Sequence, residues 1–295
     1  MSAYHERASH AWTENSIRLV ATPSAFAKTS LFYVQEIGHF ETLNHYFTER
    51  EQLDSFLAVY TVAGTGKLIY GNETYALQPQ QLFFIDCMNY QYYQPEPSKP
   101  WEMLWVHFNG AAVRAYYELF AGQVDVVLTL QQDTPIPGTL RQLLELHKRK
   151  SYRTELVGSK LLVELLTELS LAAHELELPA SEIPSYIGEI ALLMDEQYPQ
   201  KLTLEQLARQ HAVSKYHLAK QFKRYTGFSP NEYLINTRIT QAKELLKYSD
   251  MPVAEIALSV GIENVSHFIS LFKDRVEHTP LVYRKKWQRV PGYDK

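Results

Sequence analysis

The sequence predicts an α+β chain of two domains, a strand-rich N-terminal domain completed by helices and an all-helical C-terminal one. Two observations carry this. Near residue 111 the hydrophobic pattern changes from short aromatic and β-branched runs to the three-four spacing of helices. In the last third of the chain a helical pattern then recurs at an offset of 49 to 50 residues.

The strands come first. Residues 55–61 (SFLAVYT), 66–70 (GKLIY), 73–77 (ETYAL), 81–85 (QLFFI) and 101–108 (WEMLWVHF) are rich in aromatic and branched side chains. Gly64, Gly66, Gly71, Asn72 and Pro79 punctuate them at the spacing of a barrel or sandwich. Alternation along 101–108 sets Trp101, Met103, Trp105 and His107 on one face and Leu104, Val106 and Phe108 on the other. Which face points inward is left open.

From 111 to 176 the pattern is helical, with Leu162, Leu165, Leu166 and Leu169 in one buried stripe. Together with Leu161 these exceed what a single stripe needs, which offers apolar surface for a second copy of the chain. Two prolines and alternating acids mark a linker. The expected boundaries are 1–178 for the first domain (strands about 20–110, helices about 111–176), 179–185 for the linker and 186–290 for the second domain.

Composition narrows the class. With 45% hydrophobic residues, no apolar run long enough to span a bilayer and a polar start, the chain reads as soluble. The single cysteine, Cys87, fits a reducing cytoplasm. Net charge is −4, yet its distribution is uneven. Residues 1–180 carry 13 Lys/Arg against 20 Asp/Glu, whereas 181–295 carry 16 against 13. A basic half beside an acidic one suggests phosphate contacts for the former.

The repeat sharpens that suggestion. Ala208, Val213, Leu218, Phe222, Lys223, Pro230 and Tyr233 recur as Ala257, Ile262, Phe268, Phe272, Lys273, Pro280 and Tyr283. Thr203 with Gln206, and Ser229 with Pro230 and Glu232, mark capped helix starts, and Thr279-Pro280 opens another. Each copy has what a helix-turn-helix requires: a small residue where the helices cross, an apolar residue after the turn, and core residues four apart on the second helix. The units are placed at 203–226 and 253–277.

The opposite face of each second helix would enter a major groove of double-stranded DNA. On the first it offers Ser214, Lys215, Tyr216, Ala219, Lys220 and Lys223; on the second, Asn264, Val265, Ser266, Ile269, Ser270 and Lys273. Lys223 and Lys273 suit phosphates, while Val265 and Ile269 suit thymine methyls or the edge of the core. Residues 230–247 form one predicted helix of about 27 Å, long enough to hold two reading helices over adjacent grooves about 34 Å apart.

Residues 261–273 (GIENVSHFISLFK) and 279–284 (TPLVYR) resemble the signature of the AraC family of regulators, and both units match in register over about 100 residues. The resemblance implies a DNA-binding regulator that contacts RNA polymerase as a homodimer. Glu277 and Ser270 depart from it, standing where glycine and often arginine are usual.

Residues 60–67, 75–85 and 101–110 likewise resemble the cupin-like sensor barrel that precedes this domain in many members, with Gln80 in place of a turn glycine. This implies a small-molecule effector, a sugar, held by Arg50, Tyr92 or Tyr93, Met103 and Trp105. Met103 is apolar where relatives are polar, so arabinose-type hydrogen bonding does not transfer.

Cupin enzymes hold a metal through a His-x-His pair, and this chain has none. His39, His45 and His107 lie far apart, and Cys87 stands alone after an apolar strand. The expectation is a regulator with no metal, no cofactor and no catalysis. A metal-dependent cupin enzyme with a DNA-binding tail, and a regulator controlled by a protein partner instead of a ligand, are the alternatives.

Overall fold

The computed structural model describes residues 4–97, 100–149, 151, 153–177 and 184–288. The chain divides into two compact units, Met1–Ala180 and Ser181–Lys295. Of the linker expected at 179–185, residues 179–183 lie outside the described residues, and Pro184 already precedes a helix.

The first unit opens with β1 (His5–Ser9), β2 (Ile17–Val20) and a short helix α1 (Ala25–Ser30). Next come β3 (Phe32–Glu41), β4 (Phe47–Glu51), β5 (Phe56–Ala63), β6 (Gly66–Tyr70) and β7 (Glu73–Leu77). β8 (Gln81–Asp86), β9 (Gln91–Pro95) and β10 (Glu102–Gly110) complete the main run. Helix α2 (Val113–Ala121), β11 (Val127–Thr129), α3 (Ile136–Lys148) and α4 (Thr154–Glu177) close the unit. Five of these strands fall where the aromatic runs predicted them. Strand structure begins at His5 instead of near residue 20, and β11 interrupts the stretch read as helical.

The strands form two antiparallel sheets, in the orders β1-β4-β9-β6-β7 and β11-β8-β5-β10-β3-β2. The expected barrel is therefore not closed by hydrogen bonds among the described residues. Instead the sheets share a core of large side chains, including Phe40, Phe83, Tyr93, Trp101 and Trp105. Such side chains keep two pleated layers apart while filling the space between them.

The central strands β5, β8 and β10 of the six-stranded sheet are buried on both faces. Leu104, Val106 and Phe108 of β10 face α2, α3 and α4, whereas Trp101, Met103, Trp105 and His107 face the other sheet. This settles which face of 101–108 points inward. Leu161, Leu162, Leu165, Leu166 and Leu169 of α4 are all buried in the helix-side core. The surplus from which a dimer contact was expected is consumed within the chain.

The second unit is helical: α5 (Ser185–Glu196), α6 (Leu204–Gln210), α7 (Lys215–Thr226), α8 (Pro230–Tyr248), α9 (Val253–Ser259), α10 (Val265–Val276) and α11 (Pro280–Gln288). Capping boxes at Thr203 and Ser229 start α6 and α8, with Pro230 at the first position of α8. Two cores form. One gathers Ile190, Ala208, Leu218, Phe222 and Leu234, and the other Ile239, Ala242, Ala257, Phe268, Phe272 and Tyr283. Helix α8, about 28 Å long by its 19 residues, supplies both.

The two departures that replace an expected glycine sit in left-handed backbone. Gln80 has φ 67° and Glu277, the C-cap of α10, has φ 63°. The hydrogen bonds there come from the backbone: Glu277 N–H donates to Lys273 O, and Gln80 N–H donates to Thr61 O. A side chain in this region costs about 1 kcal/mol relative to glycine. Gln80→Gly and Glu277→Gly should therefore each raise stability by about 1 kcal/mol in urea denaturation. A lower midpoint for either variant would mean that its side chain contributes more than its backbone conformation costs.

Candidate functional site

Two regions, one in each unit, concentrate the candidate chemistry. In the second unit, α6 with α7 and α9 with α10 form two helix-turn-helix pairs. Ala208 and Ala257 are buried at the crossings, where a larger side chain would push the helices apart. Each turn is held by a backbone bond, Val213 N–H to Ala208 O and Ile262 N–H to Ala257 O. Each also passes through one left-handed residue, Ala212 at φ 53° and Gly261 at φ 80°. At Gly261 a Cβ would lie 2.3 Å from Pro199 O, so only glycine fits.

Leu218 and Phe222 turn one face of α7 into its core, and Phe268 and Phe272 do the same for α10. The faces left outside carry Tyr216, 79% exposed, with Lys220 and Lys223, and Ser266, Ile269, Ser270 and Lys273. Ser214 and Asn264 are the N-caps, accepting from His217 N–H at 3.1 Å and His267 N–H at 2.9 Å. Lys215 pairs with Glu205 across the turn at 3.1 Å.

In the first unit a small cavity of about 20 Å³, room for a water-sized sphere, lies between the sheets. Arg50, Tyr93, Met103, Trp105 and His107 are among the side chains that line it. Gly38 makes room for Trp105, because a Cβ there would sit 2.5 Å from the indole ring. A wider groove of about 650 Å³ on the same unit shares Arg50, Glu36 and His107 with it and adds Glu6, Tyr33 and Asp54. A ring-sized ligand fits the inner cavity only if lining side chains move.

A chain of hydrogen bonds runs along the cavity wall. Arg50 Nη1 donates to His107 Nε2 at 2.6 Å, and Arg50 Nη2 donates to Glu6 Oε1 at 3.2 Å. A guanidinium has no acceptor, so His107 Nε2 must be the bare nitrogen and Nδ1 carries the proton. Nδ1 faces Ser55 Oγ at 3.0 Å, with Cys87 Sγ at 3.9 Å. Burial, followed by the Arg50 charge, holds His107 well below the usual histidine range, so the ring is neutral. Burial likewise pushes the Cys87 thiol up to about 12, which keeps it protonated and unreactive.

Two family models match this chain, an AraC-like ligand binding domain over residues 33–169 and a helix-turn-helix domain over 207–286. The chain belongs to the AraC family of transcription regulators.

Full-length relatives agree with that membership. The MmsAB operon regulatory protein of Pseudomonas aeruginosa is 26% identical over 268 residues, covering 88% of this chain and 85% of its own length. The Msm operon regulatory protein of Streptococcus mutans is 23% identical over 252 residues, with 80% and 86% covered. The lactose operon transcription activator of Staphylococcus xylosus is 26% identical over 228 residues, with 75% and 80% covered. No helix among the described residues is long and apolar enough to cross a membrane.

Within this AraC-family chain, the structure gathers most of the residues expected at a ligand site. Arg50, Tyr93, Met103 and Trp105 share the cavity. Tyr92 does not. Alternation along β9 turns it to the outer face, where it stacks on Phe47 at 5.9 Å and donates to Gln94. Among the reading-face residues, Ala219 is half-buried, and Val265 packs against the second core, so its place is the core edge.

Sequence reasoning missed Glu6, Tyr46, Thr48 and Ser55. Glu6 and Ser55 meet partners on other strands, Arg50 and His107, while Tyr46 and Thr48 bond each other, and no local pattern marks any of the four as cavity wall. His107 was legible by alternation with Met103 and Trp105, but its bond to Arg50 was not. Among the described residues no group of three or more His, Cys, Asp or Glu is placed to hold a metal.

The buried neutral His107 predicts a pH dependence. Its unfolded ring titrates near 6.5, while the folded ring titrates far lower, so below 6.5 the unfolded state binds the extra proton. Stability should be fully present above that value and fall below it, by at most about 1.4 kcal/mol per pH unit. Tryptophan-monitored unfolding between pH 5 and 7.5 should show this slope, and His107→Gln should flatten it. Equal slopes for both proteins would show that His107 is not the group responsible.

Proposed function

We propose that this chain is a ligand-responsive, sequence-specific activator of carbohydrate-utilisation genes that carries out no chemistry of its own. The observation that carries the DNA-reading part is the pair of exposed faces on α7 and α10, each backed by an aromatic core and each ending in a lysine at the matching repeat position. Lys220, Lys223 and Lys273 would hold phosphates, while Tyr216, Ser266, Ile269 and Ser270 would meet base edges. Ser214 and Asn264 would act chiefly by capping the reading helices, and Lys215 would reach DNA by giving up Glu205.

The sugar reading is supported by the cavity's mix of indole, thioether and guanidinium, and by a relative named for the lactose operon. The match to an AraC-like ligand binding domain over residues 33–169 supports ligand binding within the first unit. Homodimerisation is supported by Leu156, Val163 and Leu171, which stay exposed on one side of α4. Activation would proceed through contact with RNA polymerase, in the reducing cytoplasm that a single buried thiol suits.

The test is a mobility shift of the purified chain on its own upstream DNA across salt concentrations, with and without sugars. Lys220→Ala with Lys223→Ala should weaken binding roughly tenfold to a hundredfold and lower the salt slope by about one ion per lysine. Specific binding that the double variant leaves intact would move the reading surface away from α7.

A further inference from the structure

The two arginines near the inter-sheet cavity are filled differently. Arg18 uses one edge of its guanidinium, Nε and Nη2, to hold both oxygens of Glu36 at 2.9 to 3.2 Å. Arg50 offers the same edge, but Glu6 takes only Nη2, and Arg50 Nε is a buried donor with no acceptor among the described residues.

The two tryptophans of the strand differ in the same way. Trp101 donates its indole N–H to Thr61 Oγ1 at 3.2 Å. Trp105 lines the cavity at 6% exposure, and its N–H has no acceptor among the described residues.

Several other polar groups of the wall are already committed. Both His107 nitrogens are engaged, and Tyr46 and Thr48 bond each other at 3.1 Å. The buried atoms of the cavity wall left without partners are therefore two donors, one of them on a cation, while Gln35 Oε1, a buried acceptor without a partner, lies in the wider groove beyond them. Sugar hydroxyls donate as well as accept and call for a mixed set of partners, whereas a carboxylate only accepts. Side-on contact with a guanidinium edge is the geometry that a carboxylate fills with two parallel bonds.

Resting on the ligand-responsive reading above, we propose that the ligand of this cavity carries a carboxylate, seated on the Nε–Nη2 edge of Arg50 and the indole N–H of Trp105. It is a sugar acid or small hydroxy acid, not a neutral sugar. Glu6 holds Nη2 in its absence and is its competitor. The rest of the ligand extends into the wider groove lined by Tyr33, Gln35 and Asp54.

Calorimetry and thermal shift on the purified full chain test this with matched probes: glucose against gluconate and glucuronate, galactose against galacturonate, and lactate alone. The acids should bind and stabilise, and the neutral parents should not at equal concentration. Arg50→Gln should weaken acid binding roughly tenfold to a hundredfold. Trp105→Phe, which removes only the N–H donor, should weaken it several-fold, and Glu6→Gln should tighten it. Retained specific DNA binding shows that each variant is folded.

Neutral sugars binding as well as the acids would overturn the carboxylate and leave the ligand-responsive reading standing. Acid binding that survives Arg50→Gln undiminished would overturn the site. Silence from both sets would overturn the proposal, and the broader reading is then judged by whether other sugars alter the mobility shift.

Discussion

Strand β10 is buried on both faces, and that constraint organises the first unit. Its residues have to serve two cores at once, with Leu104, Val106 and Phe108 toward the helices and Met103, Trp105 and His107 toward the second sheet. A slip of one residue would carry the aromatic and polar set to the helix side and empty the cavity wall. Pairing with β3 on one side and β5 on the other blocks such a slip, and a register shift between His107 and Phe108 adjusts β10 locally against β3. Cavity residues on β3 are then aimed by their pairing with β10, and those on β4 and β9 by the pairing of these two strands in the facing sheet. The polar wall of the cavity is a by-product of this arrangement: only the inter-sheet side of the strand admits a histidine, because an arginine from the opposite sheet is there to meet it.

The second unit meets its constraint by repetition. One small residue at each crossing, one left-handed residue in each turn and a pair of aromatic or aliphatic core residues per second helix suffice for a helix-turn-helix. The two copies differ by the single residue Glu263, which lies between Ile262 and the cap Asn264 where the first copy passes directly from Val213 to Ser214. Because α8 feeds Leu234 to one core and Ile239, Ala242 and Leu246 to the other, neither copy is packed independently of that helix. Arg238 strengthens the joint by donating to the Tyr198 and Gln200 carbonyls ahead of α6.

What was legible in the sequence follows from range. The repeat, the caps at Thr203 and Ser229 and the strands of 55–85 rest on contacts or periodicities within a few residues, and these appear where they were read. The left-handed positions Gln80 and Glu277 were also visible, as places where glycine was expected. The closed barrel was not established, because whether sheets join edge to edge or face to face depends on pairings between distant strands. For the same reason Glu6 could not be read as a cavity residue. Its importance comes from lying opposite Arg50 in the β1–β4 register, 44 positions away. Tyr92 and Tyr93 show the limit most simply, since one residue of phase separates the outer face from the cavity.

The presence of Glu6 beside a half-filled arginine has a consequence for the level at which a carboxylate could act. A carboxylate fixed by strand pairing is always at hand, so an incoming one has to outcompete a tethered group whose effective concentration is set by geometry and not by the cell. Observed affinity is then the intrinsic affinity reduced by the fraction of time Glu6 holds the site. A monodentate bond at 3.2 Å is a weak competitor for a bidentate one, which lets a ligand win without requiring Glu6 to leave the unit. The neutral state of His107 works in the same direction. It accepts from Arg50 without cancelling the guanidinium charge, and Glu6 pairs with that charge through a single contact at one end of the edge, leaving Nε without an acceptor among the described residues. The half-filled guanidinium edge is thus the directional feature that the proposed carboxylate would meet in a core otherwise built from aromatic and aliphatic side chains.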